Sequence, residues 1–459
     1  MQTYNVSKKV VILALLSGLA IICISYMKVA LELEDAEQAF YSQWWRLTYD
    51  DQPPIYTWLQ ILVNKLFGVT KFSFSFLRAL LFSGTIVSLY FFGKQYLKNK
   101  EQAVLAVILL ALVPVFIDFT FRRLSHTSLL CLSVVLTFVF IQCLIHRKST
   151  FNYFLLGLVI SLGILTKYNY FLMLGALLLA IPFNSSLKKI ILNKRILVTI
   201  TLVMILIFPH FYDLLSSSYF VDELHKSVAV KTNTNIKNTI PVISSFLAFF
   251  KSIFNLILPL FIFFGILFWR KKVLVNTAES SWLKHVFIAQ VVVLLVVFVS
   301  MSIVKAHTRW LLPLFIPYVV LLLSLVKIKD LNKYVNYGFI FFLFIIFVQT
   351  IRTPIEKVLK IPSAVHYSYN EISEDLNTNF KKKQWVLPDV TYAGNIRFLN
   401  PEREVLSLDD FTLPKSKEKK GQRVVVQINS DSLKSIDVKE VHRIDNFGKE
   451  KENLSFSLD

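Results

Sequence analysis

Six carboxylates crowd one short stretch of the chain: Glu32, Glu34, Asp35, Glu37, Asp50 and Asp51. A carboxylate can take the proton of an attacking hydroxyl, provided that base and hydroxyl are held close together. The same stretch, residues 31–72, carries Tyr41, Trp44, Trp45, Tyr49, Tyr56 and Trp58. Such rings are ordinary at a membrane surface. Interleaved with acids, they also suit a cleft for a carbohydrate or a headgroup. A plain solvated acidic loop is the competing reading. Pro53-Pro54 stops any helix directly after Asp50-Asp51-Gln52.

Cations able to meet an anion fall at matching points. Arg122 and Arg123 form a turn before His126, and Arg309 lies on a later turn of the same expected membrane side. Both turns depart from the bias of basic residues toward the cytoplasm, which favours a phosphate or headgroup contact for at least one of these cations. Lys167 sits between two short apolar runs, where a bare ammonium in lipid is costly. It either snorkels to the interface or contacts a phosphate. His126 can bind phosphate, orient a water or cap the helix it opens. His210 and Asp213, at the end of another apolar run, read as structural.

The elements that must position these groups are membrane helices. Of the 459 residues, 55% are hydrophobic and only 17% charged, too few charges for a soluble surface. The apolar runs continue for about 17–25 residues, whereas barrel strands would alternate. We therefore expect a polytopic α-helical protein of about eleven spans. They lie near 10–30, 74–93, 102–118 and 126–145, with two short spans in 151–183 broken at Lys167-Tyr168-Asn169. The rest lie near 196–214, 243–268, 283–304, 310–326 and 334–350. Every second connection is basic, as in Lys94/Lys98/Lys100, Arg147/Lys148 and Arg270/Lys271/Lys272. That pattern places the N-terminus in the cytoplasm and loop 31–72 outside, in a multi-pass protein of the cytoplasmic membrane.

The net charge of +20 is unevenly spread. Residues 1–351 hold 32 basic and 13 acidic residues, and residues 352–459 hold 18 and 17. Clustered at helix ends, the excess reads as membrane anchoring and not as a nucleic-acid face. Besides the six acids of the loop, Asp118, Asp213, Asp222 and Glu223 are expected outside. Glu101, Glu279 and Asp330 are expected inside. The first apolar run lacks a small-residue cleavage site and reads as a retained helix. Cys23, Cys131 and Cys143 all fall in apolar runs, without metal or disulfide spacing. Residues 1–350 are expected to form the membrane domain and 351–459 a small extracytoplasmic α/β domain. Its strands are Gln384–Leu387 and Arg423–Ile428, and Lys415–Lys420 forms a basic loop.

Glu34-Asp35-Ala36-Glu37-Gln38 followed by Gln52-Pro53-Pro54-Ile55-Tyr56 resembles the first outer loop of the family 39 membrane glycosyltransferases. These include protein O-mannosyltransferases and lipid A aminoarabinose transferases. Similar short matches continue in order at Arg122-Arg123-Leu124-Ser125-His126, Thr166-Lys167-Tyr168-Asn169-Tyr170, Pro209-His210 and Arg309-Trp310-Leu311-Leu312-Pro313. The resemblance spans roughly residues 8–350 and implies the GT-C architecture. It also implies inverting transfer of a sugar from a polyprenyl-phosphate donor to a lipid, glycan or protein acceptor at the outer face. The base would be Asp35 or Glu34, because the family's usual Asp-Glu order is reversed here. Glu37, Asp50, Asp51 and Tyr56 would support the loop or the acceptor. Lys167, Arg122, Arg123, Arg309 and His126 would hold the donor phosphate. A divalent cation is compatible with so many acids, but no ligand spacing demands one. A transporter or flippase of lipid-linked glycans, or an outer-surface polysaccharide polymerase, would share the topology. A transporter would, however, place ionisable groups deep within spans.

Overall fold

The computed structural model describes residues 6–216, 241–275, 281–305, 307–361, 363–412, 423–428, 441–444 and 452–458. Asp222, Glu223, Glu279 and Lys415–Lys420 lie outside the described residues.

The chain begins with helix α1 (Lys8–Met27). The stretch expected as an outer loop then folds into two short helices, α2 (Leu33–Tyr41) and α3 (Ile55–Phe67). Helix α2 forms where Glu34 and Asp35 fall in its first turn, which suits the positive end of the helix dipole. It buries Ala36, Ala39 and Phe40. Between the two helices, Tyr49 and Gln52 pair backbone to backbone around a turn with Asp50 at φ 46°. That left-handed conformation is one that Asp tolerates better than bulkier residues. Pro53 and Pro54 then lead straight into α3. Thr70 and Ser73 cap the following helix reciprocally.

The membrane body follows: α4 (Lys71–Leu97), α5 (Lys100–Ile108), α6 (Pro114–Arg122), α7 (His126–His146), α8 (Thr150–Ile164), α9 (Tyr170–Ala180), α10 (Ser185–Ile191), α11 (Ile196–Ser216), α12 (Pro241–Trp269), α13 (Trp282–Ser300), α14 (Thr308–Phe315), α15 (Tyr318–Ser324) and α16 (Leu331–Val358). Among the described residues seven helices are long and apolar enough to cross a membrane: α1, α4, α7, α11, α12, α13 and α16. Two bent pairs bring the number to nine, one turning 75° ahead of Pro114 and the other 111° between α9 and α10. Helix α8 and the pair α14–α15 occupy the remaining expected spans. Helix α16 continues past residue 350 to Val358.

Small residues let the helices approach. Gly18 of α1 lies over Ala79 and Ser83 of α4, and Ser83 donates to the Ala14 carbonyl at 3.0 Å. Gly157 of α8 meets the backbone of Thr199 in α11. Phe82, Phe92, Phe116, Phe138 and Trp282 fill the interior between α4, α6, α7 and α13. Between α12 and α13, β1 (Val273–Val275) pairs antiparallel with β2 (Val326–Ile328), which follows α15.

Beyond α16 come α17 (Asn370–Asn379), β3 (Gln384–Leu387), α18 (Val390–Leu399), β4 (Val405–Ser407), β5 (Arg423–Ile428), β6 (Val441–Ile444) and β7 (Glu452–Leu458). The sheet order is β4-β3-β5-β7-β6, parallel across its first three strands and antiparallel across the last three. The core of this domain is shared with the stretch between α1 and α4. Phe40, Tyr41 and Tyr49 pack in one cluster with Trp385, Ile396, Val405 and Val424.

Candidate active site

Helix α2 turns Glu34, Asp35 and Gln38 into the protein, and all three are buried. The Oε2 atom of Glu34 accepts from the Ser125 backbone N at 2.6 Å and from its hydroxyl at 3.0 Å. Its Oε1 atom lies 3.6 Å from a guanidinium nitrogen of Arg309. One oxygen of Glu34 is therefore fixed, and the other faces a cation across a distance longer than a hydrogen bond. Asp35 is placed differently. Arg78 of α4 donates to its two oxygens at 2.8 and 3.1 Å, a bidentate pair closed off from solvent.

Tyr56 of α3 is buried, with its ring 5.0 Å from that of His126. Burial pushes the Tyr56 hydroxyl well above its ordinary range. The Arg78 charge opposes the rise, and the Asp35 and Glu34 charges add to it. His126 has its Nδ1 atom 3.3 Å from the Thr166 carbonyl and its Nε2 atom 3.1 Å from the Gln38 amide nitrogen. A carbonyl only accepts and an amide NH₂ only donates, so with this amide orientation Nδ1 carries the proton and Nε2 accepts. Both ring nitrogens are used within the protein.

The cations expected at a phosphate separate into two groups. Lys167, half-buried, donates to the Thr127 hydroxyl at 3.2 Å. Asn169 donates to the Trp310 carbonyl at 2.8 Å, which ties the Lys167 turn to the Arg309 turn. Arg123 lies over the ring of Phe119 at 4.3 Å, with its side chain half-buried. Arg122 is the departure from expectation. Its two terminal guanidinium nitrogens donate to the two oxygens of Glu356 of α16, at 3.1 and 3.0 Å, and its carbonyl accepts from Lys28. Arg352 joins that network at 2.7 Å from Glu356 and also pairs with Asp118. Arg122 thus fastens α6 to α16 through its end-on pair of N–H groups.

The supporting acids also divide. Asp51, half-buried, accepts from Gln52 at 2.9 Å, and after burial its charge is the second influence raising the Tyr168 hydroxyl. It therefore faces the Lys167 turn. Asp50 faces the C-terminal domain instead. Tyr41 donates to one of its oxygens, and Thr412 meets the other at 3.3 Å and its backbone N at 3.0 Å. Burial raises the Asp50 carboxyl far above the usual range, and Asp410 nearby raises it further. Asp410 itself is gripped by Arg46 at 2.8 and 3.0 Å. Glu37, half-buried on α2, contributes to the rise of the Tyr41 hydroxyl after burial and Asp50. His210 and Asp213 meet the segment between α2 and α3. Its Nδ1 atom lies 2.6 Å from the Leu47 carbonyl, its Nε2 atom lies 3.2 Å from the Tyr168 hydroxyl, and Asp213 accepts from Thr48 at 2.9 Å.

Among the described residues no group of three or more His, Cys, Asp and Glu is placed to hold a metal ion. Asp35 and Glu32 are instead neutralised by Arg78 and Lys28. Arg78, Ser125 and Asn395 were not visible as site residues from the sequence. For Arg78 a signal existed, a lone guanidinium within an apolar run.

The bent-helix body capped by α2, α3 and a mixed sheet shares its fold with a solved membrane protein. Over 97% of both chains, this protein superimposes with a TM-score of 0.62 on ArnT from Cupriavidus metallidurans bound to undecaprenyl phosphate, at 13% identity. Apo ArnT from the same organism gives a TM-score of 0.50. Residues 51–212 match the family model described as dolichyl-phosphate-mannose-protein mannosyltransferase. That stretch includes Tyr56, Arg78, His126 and Lys167 but not α2. The lipopolysaccharide core galacturonosyltransferases RgtA and RgtB of Rhizobium johnstonii are each 30% identical to this chain, over 182 and 184 residues respectively. Those stretches are 39% and 40% of this chain and 36% and 37% of the relatives, so little more than a third of each relative is matched.

Proposed function

We propose that this protein transfers a sugar from a polyprenyl-phosphate donor to a hydroxyl acceptor (lipid, glycan or protein) at the outer face of the cytoplasmic membrane, with Glu34 as the base. The observation that carries this reading is the asymmetry of Glu34. Ser125 fixes one of its oxygens, while the other faces Arg309 without a hydrogen bond. Asp35 has both oxygens taken by Arg78 and serves to hold α2 against α4.

In this scheme Glu34 removes the acceptor hydroxyl proton as that oxygen attacks the anomeric carbon. The bond from that carbon to the phosphate oxygen breaks, and polyprenyl phosphate departs. Single displacement inverts the anomeric centre. Lys167 and Arg309, on turns tied together by Asn169, neutralise the charge gathering on the leaving phosphate. The C-terminal domain lies outside and the N-terminus inside. The likeness to ArnT, solved with undecaprenyl phosphate bound, supports a lipid-linked donor, and the likeness to the galacturonosyltransferases supports sugar transfer. Incubating purified protein in vesicles with polyprenyl-phosphate sugars tests the reading. Acceptor-dependent release of polyprenyl phosphate supports it, and its absence with every donor sugar contradicts it.

A further inference from the structure

The C-terminal domain does more than lie over α2. The side chain of Asn395, 2% exposed on α18, binds both backbone groups of Leu31: Oδ1 accepts from the Leu31 N–H at 2.8 Å, and Nδ2 donates to its carbonyl at 3.2 Å. Nδ2 also reaches the Thr391 carbonyl at 3.0 Å, which locks the amide onto its own helix. One residue earlier, Gly394 brings the α18 backbone against that of α2. A Cβ at this position would stand 1.9 Å from the Ala36 carbonyl oxygen and 2.8 Å from its Cα. Real atoms never come so close, so only glycine permits this crossing. Glu34 is thus bracketed, three residues after one contact and two residues before the other.

We infer that Gly394 and Asn395 are positioning residues for Glu34, so that the docked C-terminal domain sets the reactivity of the site. The inference rests on the reading of Glu34 as the base. Among the described residues no strand pairs with residue 31, and the Asn395 amide takes the place of a neighbouring peptide. Helix α2 is only nine residues long, too short to hold its own axis in water. Its buried face packs on α18 and on the shared core through Phe40 and Tyr41. A shift of α18 against Ala36 therefore moves Glu34 relative to Ser125 and Arg309. Misplacement of a reacting group by about 1 Å can cost on the order of 10²-fold in rate.

The test uses the full-length protein in vesicles with a polyprenyl-phosphate sugar that the wild type accepts. Gly394→Ala and Asn395→Leu should each lower kcat about 10²-fold while leaving the donor KM unchanged. Amide hydrogen exchange of α2 should quicken in both, with α4 and α7 unaffected. Asn395→Asp keeps the acceptor for the Leu31 N–H and should recover part of kcat. Asn377→Ala, on α17 of the same domain, should keep the wild-type kcat. Unchanged kcat and α2 exchange in both variants would overturn the inference. So would an equal loss in Asn377→Ala, which would reveal domain destabilisation alone. A wild type inert toward every donor, with α2 exchange still quickened by the variants, would contradict sugar transfer and support the positioning of α2.

Discussion

Arg78 reaches from α4 and takes both oxygens of Asp35, in a pair almost wholly withdrawn from solvent. The pair decides which of two adjacent acids is available for chemistry. A carboxylate with both oxygens held by a buried guanidinium is already engaged within the protein. Glu34, one residue earlier, turns one oxygen toward Arg309 at 3.6 Å, with no hydrogen bond to it among the described residues.

Because the Asp35–Arg78 pair is buried, breaking it should be worse than deleting it. Arg78→Met alone strands a buried carboxylate and should cost about 3–5 kcal/mol of stability. The double variant Asp35→Leu/Arg78→Met should recover most of that loss in thermal unfolding of the detergent-solubilised protein. A double variant no more stable than Arg78→Met alone would refute the pairing.

Lys167 and Arg309 should act on donor binding as well as on the step in which charge gathers on the leaving phosphate. A hydrogen bond to a charged group contributes about 1.5–3 kcal/mol, so each alanine variant should raise the donor KM by roughly tenfold or more. Arg309→Lys keeps the charge without the fork and should fall between Ala and wild type. Arg122→Ala should instead lower stability, through Glu356, without a specific effect on donor KM. Titrating donor at fixed acceptor separates these outcomes.

Asp50 gives the docked domain a pH dependence of defined sign. Burial raises its folded carboxyl above the usual range, with Asp410, then Asp409, adding their charges; the Tyr41 hydrogen bond works in the opposite direction. The folded state therefore binds more protons than the unfolded one. Stability is lost as pH rises from the ordinary carboxylate range to the raised value, and regained on acidification. Asp50→Asn should flatten this dependence. Thermal unfolding of both proteins at about pH 5 and about pH 8 reads the difference, and equal slopes would contradict it.

Much of the membrane body could be read from the sequence, because continuous apolar runs and basic turns report directly on lipid. The strands Gln384–Leu387 and Arg423–Ile428 were equally plain, as β-rich runs between turn residues. The stretch 31–72 was identified as chemically rich, but its helices were not foreseen. Helix α2 is stabilised by α18, more than 350 residues further along, and no local pattern reports such a partner. The same holds for Arg122, whose role depends on Glu356 at the far end of α16. Interleaved acids and aromatics also had two sources that the sequence could not separate. Glu34, Asp35 and Tyr56 face the candidate site, whereas Tyr41, Tyr49 and Asp50 belong to the core and edge of the C-terminal domain.

The claim that Glu34 is the base is tested most directly by comparing wild type with Glu34→Gln in vesicles, at matched protein and saturating donor. Gln keeps an acceptor for Ser125 but takes no proton. The account predicts a loss of roughly 10²–10⁴-fold in transfer rate at unchanged donor KM. A Glu34→Gln variant that transfers sugar at the wild-type rate would contradict it.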